Sequence, residues 1–224
     1  MKLFSVKSVP RTTWSSSKPL TFRPRGITFF FLCLGLTIFG IGESLLIAAG
    51  AGVSPWTVFA QGIANVTGLR IGVATFAVSI AVLLLWIPMR QRPGLGTLMN
   101  ALLIAGAIDL SLPYLPAPDF YAWKLVQTII GILLVGIGSG VYLIANLGPG
   151  PRDGLMTGLQ RLSNLPIAWV RMSIELLVVL LGWLLGGTVG VGTVLYALGI
   201  GWSVSSGLYV VDRCSQTLPP VTVP

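Results

Sequence analysis

Histidine is absent from this chain, and its 224 residues include only six acids. Without imidazole there is no His general base, no His metal ligand and no Ser-His relay. No phosphate-binding loop, dinucleotide fingerprint or zinc spacing occurs, so ATP-driven work by this chain alone is excluded and no cofactor is expected. The two cysteines, Cys33 in the first apolar run and Cys214 near the C-terminus, have no metal spacing and read as unrelated thiols. No pair of facing carboxylates and no nucleophile–base set is visible, so catalytic residues are expected to be none and the chain is expected not to be an enzyme. Charge of either sign is scarce too. Charged residues make up 9% of the chain, against about a quarter in a soluble domain.

Apolar residues fill that space. They account for 54% of the chain, and the mean hydropathy is +0.88. This composition belongs to an integral membrane protein, and the length suits about six helices of ~20 residues with short loops. The expected spans are residues 27–49, 71–88, 94–112, 123–145, 166–186 and 190–211. Two shorter helices are expected between them, from Pro55 to Thr67 and from Pro151 to Ser163. Ser54 followed by Pro55 is a helix start, with Ser as N-cap and Pro at the first helical position. Gly68 is a matching C-cap. Thirteen residues cannot cross a bilayer, so each short helix is either interfacial or a re-entrant half-helix.

The chain also repeats itself at an offset of 96 residues: 18 of the 65 positions from 40 to 104 recur without a gap. Gly40-Ile41-Gly42 returns as Gly136-Ile137-Gly138, Gly52 and Pro55 as Gly148 and Pro151, and Gly94, Gly96 and Thr97 as Gly190, Gly192 and Thr193. Chance would match roughly a tenth of positions in so Gly- and Leu-rich a chain, so this is a duplication. Three spans per copy force the second copy into the membrane upside down, an architecture common among secondary transporters. The expected fold is therefore all-α, with six transmembrane helices as two inverted three-helix repeats. The first copy covers residues 27–115 and the second residues 116–212. A basic, disordered tail of residues 1–26 precedes them, and a C-terminal tail of residues 213–224 follows.

The net charge of +8 is concentrated. Six of the 14 basic residues (Lys2, Lys7, Arg11, Lys18, Arg23 and Arg25) lie in the first 25 positions, with no acid among them. No basic surface with interleaved aromatics accompanies them, so nucleic acid is not an expected partner. The leader fits a cytoplasmic tail attracted to anionic lipid headgroups, better than an organellar transit peptide or a cleaved signal. With the N-terminus inside, Arg90, Arg92, Arg152, Arg161 and Arg213 also fall on the inner side, leaving Arg70 and Lys124 outside. Both termini are then cytoplasmic and the lipid bilayer is the principal partner. A homodimer is compatible with the small size.

Two groups of residues are candidates for a site. The first is the pair of Gly-Pro helix starts: Ser54 and Pro55, then Gly150, Pro151, Arg152 and Asp153. Half-helix N-termini at membrane depth aim unpaired N–H groups and a positive dipole end at a cavity, and matching broken helices in inverted halves point to a substrate site. The plain alternative is a pair of ordinary interfacial helices. The second group is the ionisable residues inside spans, where charge is costly. Glu175 lies near the middle of the fifth span with Arg171 one turn earlier, and their counterparts 96 positions back are Ser79 and Thr75. An i,i+4 ion pair explains Arg171 and Glu175 equally well. Glu43, in the outer third of the first span, is placed either to bind a cation or to reach the outer interface. Asp109 is expected to be solvated at the outer end of the third span. No metal ligands are assigned.

The stretch Gly52 to Val58, followed by Thr67 to Gly72, and the stretch Leu147 to Met156 resemble the bacterial YczE/YitT-like integral membrane proteins over about residues 30–212. That resemblance implies a bacterial inner-membrane location and a multi-helix fold. It supplies no substrate and no catalytic residue, and it does not extend to the basic leader. The leading expectation is an ATP-independent transporter or exporter of a small solute or ion. The alternative is a non-transporting accessory or regulatory membrane protein acting through a protein partner.

Overall fold

The structure, a computed structural model, describes residue 10 and residues 12–216. All of its regular secondary structure among the described residues is helical. In chain order the helices are α1 (Gly26–Ala49), α2 (Pro55–Thr67), α3 (Ile71–Trp86), α4 (Leu95–Ser111), α5 (Tyr121–Ile144), α6 (Pro151–Ser163), α7 (Ile167–Leu184) and α8 (Val191–Gln216), with a 3-10 turn after α4. Five are long and apolar enough to cross a membrane: α1, α4 with its 3-10 turn, α5, α7 and α8. Helices α2 and α3 meet at a bend of 113° and make a sixth span if counted together. The chain is a multi-pass helical membrane protein with five or six candidate spans.

The two short helices start inside the bundle. Ser54 is extended ahead of Pro55, and Gly68 closes α2 in the left-handed region with its N–H on the Ala64 carbonyl. Along α2 the residues from Pro55 to Val58 are buried, while Asn65, Val66 and Thr67 are exposed. Likewise α6 runs from buried Pro151 to exposed Arg161, Leu162 and Ser163, and Asn164 caps it at φ 54°. In both short helices burial falls from the start to the end.

Positions 96 residues apart share local geometry. Helices start at 55 and 151, 71 and 167, 95 and 191. Residues with positive φ pair in the same way: Gly50 with Asn146, Gly52 with Gly148, Gly68 with Asn164, and Arg90 with Gly186. Contacts recur with their partners exchanged. The Gly96 N–H donates to the Leu147 carbonyl at 2.7 Å, and the Gly192 N–H to the Ala51 carbonyl at 2.7 Å. At the centre, α1 and α5 pack antiparallel through glycines: Gly42 lies against Gly131 and Val135, and Gly138 against Gly35 and Phe39. A side chain at any of these glycines would strike the opposite backbone, so small residues set the separation. The exchange is not complete. Helix α3 packs on α4, whereas their counterparts α7 and α8 barely touch.

Two expectations meet different geometry. The leader's described residues are anchored at Trp14 and Ser16, while positions 17–20, 22, 23 and 25 are exposed. Trp14 is buried in a cluster with Leu32 and Leu36, its ring 4.6 Å from that of Phe31. The Ser16 N–H donates to the Ala145 carbonyl at 3.1 Å, and Asn146 Nδ2 to the Ser16 carbonyl at 2.8 Å. One buried indole and two backbone anchors offset the basic, Ser-rich composition that suggested disorder. Residues 1–9 and 11, with Lys2, Lys7 and Arg11, lie outside the described residues, as do residues 217–224 of the C-terminal tail. Asp109, expected in solvent, instead accepts the Gly72 N–H at 2.8 Å through Oδ1, satisfying a donor at the start of α3.

Candidate functional site

The starts of α2 and α6 converge on a cavity of about 200 Å³. Its wall holds equivalent positions of the two copies side by side: Ser54 with Gly150, Trp56 with Arg152, Asn100 with Tyr196, and Ile104 with Ile200. Arg171 and Glu175 of α7 form its edge beside Tyr196, Ile200 and Val204 of α8, the two helices that do not pack together.

Behind the α2 start lies Glu43. It is 1% exposed. Ser54 Oγ donates to its Oε2 at 2.9 Å and Thr57 Oγ1 donates to the same oxygen at 2.8 Å. Ser54 makes no side-chain capping bond to the backbone of α2, although its Oγ lies 3.0 Å from Thr57 Oγ1 in the first turn. The carboxyl group sits at the positive end of the α2 dipole, a favourable place for negative charge. The other oxygen, Oε1, is buried and has no hydrogen-bond partner among the described residues. Arg152 from α6 acts on this carboxyl through its charge, and the Tyr196 hydroxyl from α8 acts on it as a hydrogen-bond donor.

At the α6 start, the Arg152 guanidinium lies over the Trp56 ring, 5.3 Å from its centroid. It makes no hydrogen bond or ion pair with the described residues. Asp153 accepts the Tyr142 hydroxyl at 3.1 Å through Oδ2. Arg171 Nε and Glu175 Oε1 are 2.8 Å apart, with side-chain exposures of 54% and 28%. The i,i+4 pair expected from the spacing is formed, and it is on the cavity edge.

The structure thus brings Ser54, Pro55, Gly150, Arg152, Asp153, Arg171 and Glu175 to one wall. Pro151 lies just beneath, its carbonyl accepting Trp86 Nε1 at 3.0 Å. Thr75 and Ser79 are buried but away from the cavity; their hydroxyls donate to the carbonyls of Ile71 and Thr75, one turn back on their own helix. Glu43 is enclosed and does not reach the outer interface. Sequence reasoning missed Tyr142 and Tyr196. A signal existed for Tyr196: its counterpart, Asn100, is a polar residue in the middle of an apolar span. Among the described residues no group of three or more His, Cys, Asp or Glu side chains is placed to hold a metal ion. The arrangement offers an anion one unpaired guanidinium and two positive helix ends, with carboxyl groups close by.

Residues 26–206 match a family of unknown function, DUF6198. An uncharacterized protein of Haemophilus influenzae is 43% identical over 208 residues, covering 93% of this chain and 94% of the relative. The uncharacterized membrane protein YczE of Bacillus subtilis is 36% identical over 175 residues, covering 76% of this chain and 80% of that protein. The uncharacterized protein YyaS of Bacillus subtilis is 30% identical over 174 residues, covering 75% and 85%. No solved structure matches.

Proposed function

The chain belongs to the DUF6198 family of unknown function, and on that premise we propose that it is a transporter of a small solute, working by alternating access without ATP. It is not an enzyme in this reading. It lies in the bacterial inner membrane as two inverted repeats with both termini in the cytoplasm. The observation that carries the reading is the cavity itself: two half-helix starts, one from each copy, converge on it, and equivalent positions of both copies line it. Discontinuous helices meeting at a repeat interface are where secondary transporters bind their substrates. The unequal packing of α3 on α4 and of α7 on α8 adds to it. Two copies of one design held in different conformations are what a carrier open to one side requires.

A thermal-shift screen of the purified, detergent-solubilised protein against ions and small metabolites tests the proposal. A binder present at about 100 times its Kd adds about 2.7 kcal/mol of apparent stability. A stabilising solute whose effect disappears in Arg152→Gln supports the transporter and names its substrate class. A broad library without a hit favours the accessory reading, and crosslinking to protein partners becomes the next measurement.

A further inference from the structure

We propose that Glu43 carries a proton through the transport cycle, and that the solute moving with it is a small anion held by Arg152. The inference rests on the transporter reading and adds to it a substrate class and a coupling ion.

Glu43 Oε1 is enclosed with no group at full hydrogen-bond distance, while the Tyr196 hydroxyl of α8 faces the carboxyl closely enough to act on it as a donor. A buried carboxyl oxygen is rarely left without a full bond. Glu43 is not on the cavity wall, but Ser54, which donates to it, is, so a hydroxyl joins the enclosed carboxyl to the cavity. A proton on Oε1 leaves both hydroxyl bonds to Oε2 as they stand, from Ser54 and Thr57. Removing that proton leaves a carboxylate at the α2 N-terminus with Arg152 acting on it.

Arg152 links the two ligands. Its guanidinium is on the wall, stacked on Trp56 and bonded to nothing else among the described residues. Five fixed donors in a planar fork suit an oxyanion. With Glu43 ionised, the Arg152 charge is balanced inside the protein. With Glu43 protonated, that charge is free for an anion in the cavity. Proton and anion therefore favour each other's binding, which is a coupling between sites. Other groups set the background. Tyr196 of α8 acts on both Glu43 and Arg152, and is itself acted on by Arg171 and Glu175, which are paired together. Asp153, held by Tyr142 of α5, flanks Arg152. Asp109 of α4 is bonded to the start of α3, and neither it nor Lys124 of α5 acts on Glu43. The proton comes from cavity water on one side of the membrane and leaves to water on the other; no other bond is made or broken.

The test is calorimetric titration of the purified full-length protein with methanesulfonate and nitrate, which stay ionised from mildly acidic to mildly alkaline pH. Buffers of different ionisation enthalpy report proton uptake. Wild type is expected to take up one proton per anion at the alkaline end, with affinity falling about tenfold per pH unit there. Glu43→Gln is expected to bind equally well at every pH without proton uptake, and Arg152→Gln to bind neither anion. Should the glutamine variant fail to fold, the wild-type proton count alone decides. Anion binding without proton uptake overturns the coupling and leaves the transporter standing. Binding of cations or neutral solutes but of neither anion overturns the substrate class. Absence of every binder is a failure of the transporter reading itself. Repeating the titration in phosphatidylcholine nanodiscs with and without phosphatidylglycerol separates a soluble anion from a lipid headgroup. Undiminished affinity in the anionic lipid supports the soluble anion, and loss of binding there assigns the site to the headgroup and overturns it.

Discussion

At Gly52 and Gly148 the backbone adopts φ of 112° and 113°, and a Cβ there would lie 2.8 Å from Thr193 Oγ1 and from Thr97 Oγ1 respectively. These are the points where the chain leaves α1 and α5 and turns back into the bundle to begin α2 and α6. Only glycine takes this geometry without strain. Gly52→Ala and Gly148→Ala are each expected to cost about 1–3 kcal/mol, read as lowered Tm in detergent. Because the two positions are equivalent, the losses should match closely; a neutral effect at either would show that its turn tolerates a side chain. Arg171 and Glu175 behave differently. Their pair is partly exposed, and such pairs contribute about 0–1 kcal/mol. Glu175→Gln should therefore leave Tm almost unchanged, so that any loss of solute binding in that variant reports on the cavity edge rather than on folding.

Among elements, α3 and α6 pack by a large residue against a small one. Trp86 is buried with its ring where a Gly154 Cβ would be, at 1.9 Å. Their counterparts are Gly182 and Val58, and there the small residue is on α7 and the larger one on α2; a Cβ on Gly182 would meet the Val58 and Phe59 backbone. The two interfaces solve one packing problem with the sizes reversed. Trp86→Gly should be strongly destabilising, by about 3–5 kcal/mol for the hole it leaves. Adding Gly154→Val, which copies the other interface, should restore part of that loss, and thermal unfolding of the two single variants and the double variant measures it. A double variant less stable than Trp86→Gly would show that the two interfaces are not interchangeable. Most of the elements were legible in the sequence, because helix starts rest on local chemistry: Ser54-Pro55 and Gly150-Pro151 announce α2 and α6 without reference to anything distant. The site was legible only in part. Arg152, Asp153 and the Arg171–Glu175 pair could be named from position and spacing. The enclosure of Glu43 by Ser54 and Thr57 depends on how the loop at 50–54 turns inward, and the Tyr142–Asp153 and Arg152–Trp56 contacts join helices that periodicity treats separately. Trp14 was missed for the same reason: its burial depends on the ends of α1 and α5, not on its Ser-rich neighbours.

The two copies, taken as whole units, share much of their packing but differ at the α3–α4 interface and its counterpart. At the start of α3, Gly72 is joined to Asp109 of α4 by a 2.8 Å hydrogen bond. The equivalent positions are Ala168 on α7 and Ser205 on α8; Ser205 donates to Gly201 of its own helix, and α7 and α8 do not pack together. If the cycle exchanges the conformations of the copies, α7 closes on α8 as α3 now closes on α4, and the Asp109 bond opens. This yields a trap. In a background with Cys33 and Cys214 replaced by serine, Ala168→Cys with Ser205→Cys places two thiols apart in the present conformation. In the exchanged one they lie at the separation now held by Gly72 and Asp109, close enough for a disulfide. Oxidation in liposomes is expected to crosslink the pair, and the crosslinked protein should lose solute exchange that returns on reduction. Asp109→Ala, which removes the acceptor for the α3 start at a cost of about 1 kcal/mol, should speed the crosslinking by releasing the closed side. A pair that never crosslinks in either background would mean that α7 and α8 stay apart, and that the difference between the copies is a fixed feature of the fold rather than one half of a cycle.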